Sequence, residues 1–120
     1  MNRKEFQCIL DRALERTIDR LTEKGREYAP GKDRLSAFRL AARMRGTTMA
    51  QALWGMVIKP IGSVQEVIDR PGVLTIDQAW IDEKVGDIMA YMVLLEAVLL
   101  EEFVKPSVQD GGSSDKGDAK

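Results

Sequence analysis

From Ile88 to Leu100 the chain carries a single charged residue, Glu96, in an otherwise almost wholly apolar run. No strand-like alternation accompanies it, so the stretch reads as a helix buried over most of its circumference. Helices of that kind are central in a bundle or lie in an interface between copies. The run is shorter than the roughly 20 residues a membrane span needs, and Glu96 interrupts it. It is entered through the acidic segment W-I-D-E-K-V-G-D, residues 80–87. Glu83 and Asp87 are four apart and share a helix face. Below them Ile88, Met89, Met92, Leu95 and Leu99 form a stripe expected to be buried. The fold class this predicts is all-α, with association of copies through the C-terminal helix.

Three further helices precede this one. The first runs from about Arg3 to Lys24, with Phe6, Ile9, Leu10, Ala13, Leu14, Ile18 and Leu21 on one apolar face. Its other side carries Asp11, Glu15, Asp19, Glu23 and Glu27 among Arg12, Arg16, Arg20 and Lys24, a pattern expected to form a solvated, self-paired surface. The second helix begins at Asp33 as N-cap and stops at Gly46. The third starts with the capping box Thr48–Gln51 and presents Leu53, Trp54, Val57 and Ile58 inward. Pro60 is expected to kink or break it. The fourth starts with a second capping box, Thr75–Gln78, and reaches about Phe103.

At 120 residues the expectation is one domain, here 1–104. Residues 105–120 are rich in Gly, Ser, Asp and Lys; they cannot bury enough surface to offset ordering entropy and are expected to be a disordered tail. Net charge is −1, so no overall field recruits nucleic acid. The charge is unevenly spread: residues 1–46 hold 12 Lys/Arg against 7 Asp/Glu, whereas 75–104 hold 1 against 7. These regions are expected to face each other or neighbouring copies. Histidine is absent, which removes histidine acid–base chemistry and metal ligation. A single cysteine, Cys8, excludes an internal disulfide framework. Met1–Glu5 leads directly into a charged helix, so no signal peptide is expected, and the expected location is cytoplasmic.

Three groups of residues can carry chemistry. Glu83 and Asp87, with Asp82 nearby, could hold Mg²⁺, which takes one or two carboxylates plus water and phosphate oxygens. Gly86 would allow close approach there, and Tyr91 one turn on could stack on a base. The turn from Tyr28 to Arg34 combines an aromatic ring, a glycine and two cations, Lys32 and Arg34, at a helix start that suits phosphate. Trp54 reads as core or, with Lys59 and Ser63 beside the proline, as a ligand contact.

Y-A-P-G-K-D-R-L-S-A-F, T-T-M-A-Q-A-L-W-G-M-V-I-K and W-I-D-E-K-V-G-D-I-M-A-Y-M-V-L-L-E, in that order, resemble a group of small phage and prophage proteins of undefined function. These are related in pattern to the MazG-like all-α nucleoside triphosphate pyrophosphohydrolases. The resemblance covers roughly residues 9–102. It implies a MazG-like four- to five-helix bundle, oligomeric, that binds nucleotide and uses Mg²⁺ where catalytic, in the bacterial host cell if phage-encoded. Glu83 and Asp87 fall where those enzymes carry Glu-x-x-Asp, although here the spacing is Glu-x-x-x-Asp, and the partner motif Glu-Glu-x-x-Glu has no counterpart. Three functions follow. One is a phage-type nucleotide-binding protein with at most weak Mg²⁺-dependent hydrolysis: the Tyr28–Arg34 loop, with Lys32, and Lys59 would take phosphates, Glu83 and Asp87 a metal, and Tyr91 or Trp54 the base, with Ser63 a further nucleotide contact. Another is a non-catalytic counter-defence protein that sequesters a signalling nucleotide. The third is a helical protein–protein interaction module.

Overall fold

Three of the four helix starts are fixed by a side chain that takes up otherwise unsatisfied N–H groups. Asn2 and Glu5 cap each other reciprocally: the Glu5 N–H donates to Asn2 Oδ1 at 2.8 Å and the Asn2 N–H to Glu5 Oε1 at 2.8 Å. Thr48 and Gln51 repeat this device, each bond 3.0 Å. At the last helix Asp77, not Thr75, is the N-cap, its Oδ1 accepting from the Trp80 N–H at 2.8 Å. Asp33 is not the N-cap expected for the second helix: its carboxylate accepts from the Leu35 N–H at 3.0 Å in the preceding turn, and the helix opens at Ser36 with Leu35 as an N-cap that makes no side-chain bond. That helix ends at Gly46, whose φ of +67° favours a residue without Cβ.

A computed structural model describes residues 1–28, 31 and 33–104. It contains α1 (Arg3–Tyr28), α2 (Ser36–Arg45), α3 (Met49–Asp69) and α4 (Gln78–Leu99), with a π-helical turn over Leu100–Val104. No strand occurs among the described residues. None of their helices is long and apolar enough to cross a membrane. The tail expected to be disordered, 105–120, lies outside the described residues, as do Lys32 and the side chain of Tyr28. The break expected at Pro60 is not there: α3 continues through it and buries it. Proline deletes the bond to the carbonyl four residues back and crowds that carbonyl, and burial of Pro60 against the core offsets that loss.

The core lies between α2, α3 and α4. Leu35, Phe38, Ala42, Met49, Leu53, Leu94 and Val98 form one cluster. Leu53, Val57 and Val98 are fully buried, each at 0% exposure. The buried line on α4 is Gly86, Ala90, Leu94 and Val98, a four-residue step of mostly small side chains that lets neighbouring helices approach closely. It is not the expected stripe: Ile88, Met89, Met92 and Leu95 are half-buried and Leu99 is exposed. On α3 the expected inner face is divided. Leu53 and Val57 point inward, whereas Trp54 and Ile58 face solvent.

The first helix departs furthest from expectation. Of its apolar face only Ala13 and Leu21 are half-buried, while Phe6, Ile9, Leu10, Leu14 and Ile18 are exposed. The reason is the position of α1 against α4. Arg12 and Arg16 meet Asp82, Arg20 meets Asp87, and Lys24 lies over Tyr91. These contacts advance together along both helices, so the two run parallel. The stretch before Arg12 therefore leads past the α4 start. The radius of gyration is 17.5 Å, against about 13 Å for a compact chain of about 100 residues; apolar faces stand open along an elongated body.

Candidate functional site

The seam between α1 and α4 is built from arginine and carboxylate. Arg12 donates through Nη2 to Asp82 Oδ2 at 2.7 Å, and Arg16 through Nη1 to Asp82 Oδ1 at 2.9 Å. Gln78 Nε2 reaches the same Oδ1 at 3.0 Å. One turn on, Arg20 Nη1 donates to Asp87 Oδ1 at 2.7 Å and to the Glu83 carbonyl at 3.1 Å, while its Nη2 donates to the Asp82 carbonyl at 3.1 Å. Such charge-assisted bonds to defined geometry are stronger than neutral ones. Arg12, then Arg16, hold the Asp82 carboxyl far below the usual carboxylate range. Asp82 in turn raises the Arg12 guanidinium.

Gly86 makes this approach possible. A Cβ there would lie 2.9 Å from Arg20 Nη1 and 3.2 Å from Arg16 Cδ. The close approach expected at Gly86 is thus occupied by the chain's own arginines. Arg16 also donates to Met89 Sδ at 3.3 Å, and its buried Nε has no partner among the described residues. Along the seam runs a groove of about 540 Å³ that collects four cations, Arg12, Arg16, Arg20 and Lys24, and five acids, Glu15, Asp19, Glu23, Asp82 and Asp87. Its near-neutral balance gives it little net pull on a phosphate chain.

The candidate residues are dispersed by the fold. Asp87 lines the groove and is engaged by Arg20. Glu83 does not line it; its side chain is 66% exposed and pairs with Lys84 at 3.5 Å. Among the described residues no group of three or more acidic, histidine or cysteine side chains is placed to hold a metal ion. Arg34 donates through Nη2 to the Leu21 carbonyl at 3.2 Å and so serves α1. Trp54, Lys59 and Ser63 stand on α3 and line neither the groove nor the cavity beside it; the Ser63 hydroxyl donates to the Lys59 carbonyl at 3.4 Å. Tyr91 does reach a cavity. Lys24 Nζ lies 5.5 Å from its ring centroid, over a space of about 240 Å³ floored by Phe38, Met56 and Leu94. A cation at that distance is attracted by the ring quadrupole.

Several working residues escaped the sequence reading. Arg12, Arg16 and Arg20, read as partners for acids on their own helix, are instead spent across the seam. Glu102 is another: its carboxylate accepts the Met49 N–H at 2.8 Å and the Ala50 N–H at 3.2 Å, closing the start of α3 from the far end of the fold. Arg39 ties Asp33, 2.6 Å away, to Glu101, and both carboxylates raise its guanidinium. The charge imbalance was the available signal, and it is resolved largely within one chain.

A different surface stands open on α3. Trp54, Ile58, Ile61, Gln65 and Ile68 follow one another at steps of four, three, four and three, and the four apolar members are 37% to 64% exposed. That spacing is the seam of a coiled coil. At the end of α4, Met92, Leu95, Leu99 and Phe103 border a second apolar groove, of about 510 Å³. No family model, curated protein or solved structure matches this chain.

Proposed function

We propose that the chain is a helical protein–protein interaction module acting in the cytoplasm. The observation that carries this reading is the exposed seam Trp54–Ile58–Ile61–Gln65–Ile68 on a helix whose neighbouring face buries Leu53, Val57 and Pro60 in the core. A helix needs one apolar face for its own core. A second face at 3.5-residue spacing is matched to another helix laid alongside at a shallow angle. Exposed apolar patches rimmed by polar residues mark such contacts. The test is site-specific photo-crosslinking in a bacterial host, with the reactive residue placed at Ile58 or at the exposed Glu66, off the seam. An adduct at Ile58, with the chain itself or a foreign protein, and none at Glu66 is expected. Equal or absent adducts at both positions would remove the reading.

A second reading is favoured by the Lys24–Tyr91 cavity. Apolar walls, an aromatic ring and a cation at one rim suit a flat ring bearing an anionic group, as in a nucleotide. At about 240 Å³ the space is below the roughly 300 Å³ at which ligand pockets begin, so it would take the ring and leave phosphates outside. Sequestration without turnover suits this better than hydrolysis, because Arg20 already neutralises Asp87, and Mg²⁺ at Glu83 and Asp87 would require that arginine to leave. A thermal-shift panel of nucleotides with and without Mg²⁺ tests it, since a ligand that prefers the native state raises the melting temperature. Loss of any shift in Tyr91→Ala would place the ligand in this cavity; a shift that depends on Mg²⁺ and vanishes in Asp87→Asn would restore the hydrolase reading.

A further inference from the structure

We infer that Phe6, Leu10, Leu14 and Ile18 form a self-association face, covered by α1 of a second copy of the chain crossing it in antiparallel sense. This rests on the interaction-module reading and names the partner for one face. The four side chains follow at steps of four, an uninterrupted ridge along one i±4 row of α1, and each is 40% to 64% exposed. The row turns polar at both ends. Asn2 is engaged in the helix cap, and the Thr22 hydroxyl donates to the Ile18 carbonyl at 2.9 Å. The apolar ridge is therefore about 18 Å long at 1.5 Å per residue.

The described residues do not cover it. The arginines of α1 are spent on α4, and its first turns lead past the α4 start. The longest segment outside the described residues, 105–120, contains Val108 and Ala119 as its non-proline apolar residues, too little to bury four large side chains. A second copy fits instead. Ridges of the i±4 kind interdigitate with ridges of the same kind, at a crossing of roughly −50° and an axial separation of about 8–10 Å. A two-fold interface uses the same patch on both subunits, and a ridge without charge meets itself without like-charge cost. Crossing between Leu10 and Leu14 sets Leu10 against Leu14 of the second copy and Phe6 against its Ile18. A single helix crossing covers less than the roughly 800 Å² per partner of a stable complex, so the dimer is reversible and its population follows concentration.

The test is sedimentation equilibrium of the full chain over a wide concentration range. Wild type is expected to interconvert between monomer and dimer. Leu10→Glu/Leu14→Glu is expected to stay monomeric with unchanged helical circular dichroism, because both positions are exposed in the monomer. Should that variant lose helix, Leu10→Ala/Leu14→Ala keeps a strong helix former at each site and is expected to weaken the dimer by at least about tenfold. Ile58→Glu, on the α3 seam, is expected to dimerise like wild type. A monomeric wild type at every concentration overturns the inference and leaves the α3 seam to its own crosslinking test. A dimer that survives the α1 variants and is lost in Ile58→Glu also overturns it, while the module reading stands.

Discussion

Two regions of this molecule hold helices together by opposite means. Between α2, α3 and α4 the contact is apolar, centred on Leu53, Val57 and Val98. Between α1 and α4 it is a ladder of guanidinium and carboxylate, Arg12 and Arg16 on Asp82 and Arg20 on Asp87, all part-exposed. Apolar burial is insensitive to salt and pH and costs much when a cavity is cut. Part-exposed ion pairs are screened and individually weak. The core therefore sets global stability, and the ladder sets whether α1 stays docked.

The largest test of that division is Leu53→Ala. Removing a fully buried side chain from the central cluster is expected to cost about 3 kcal/mol, lowering the denaturation midpoint and amide protection in all four helices together. Asp82→Asn cuts the ladder instead. It leaves Arg12 and Arg16 without their shared anion, and amide exchange is expected to accelerate in α1 while α3 keeps its protection; uniform acceleration would show that the two regions are one cooperative unit.

Acid separates them as well. The folded-state pKa of Asp82 lies below its unfolded value, so its contribution is complete above the unfolded value of about 4 and is lost as pH falls through the folded one. Helix α1 is expected to gain exchange on acidification below about pH 4 before the core does, followed by hydrogen exchange across a pH series.

Smaller effects sharpen the picture. Glu102→Ala removes the acceptor for the Met49 and Ala50 N–H groups and is expected to cost about 1 kcal/mol, read as a midpoint shift in urea. Gly86→Ala sets two effects against each other. Alanine gains about 1 kcal/mol of helix propensity, while its Cβ crowds Arg20 and Arg16. Net stability is expected to change little, with protection rising in α4 and falling in α1.

The α-helical character and the α3 start were legible because their signals are local. Period, capping residues and glycine stops act within a few residues, and the Thr48–Gln51 box stands where its letters placed it. The α4 start shifted because Asp77, nearer the helix, outcompetes Thr75 for the cap. Which face of α1 would be buried was not legible. Periodicity shows that Phe6, Leu10, Leu14 and Ile18 share a side, but it carries no information about what lies opposite. The dispersal of the candidate residues has the same origin. Glu83 and Asp87 share a face by spacing, yet Arg20, more than sixty positions earlier, takes one and leaves the other in solvent. The unequal charge of the two ends was the readable trace of that long-range pairing.

The contact of Glu102 with the first N–H groups of α3 joins a late residue to an early one. During synthesis the ribosome releases α3 before position 102 emerges, so for that interval the opening turn of α3 relies on the Thr48–Gln51 box. Those two N–H groups of α3 thus gain their carboxylate acceptor only once the Leu100–Val104 turn has arrived, and a nascent chain stalled short of it would hold α3 without that contact.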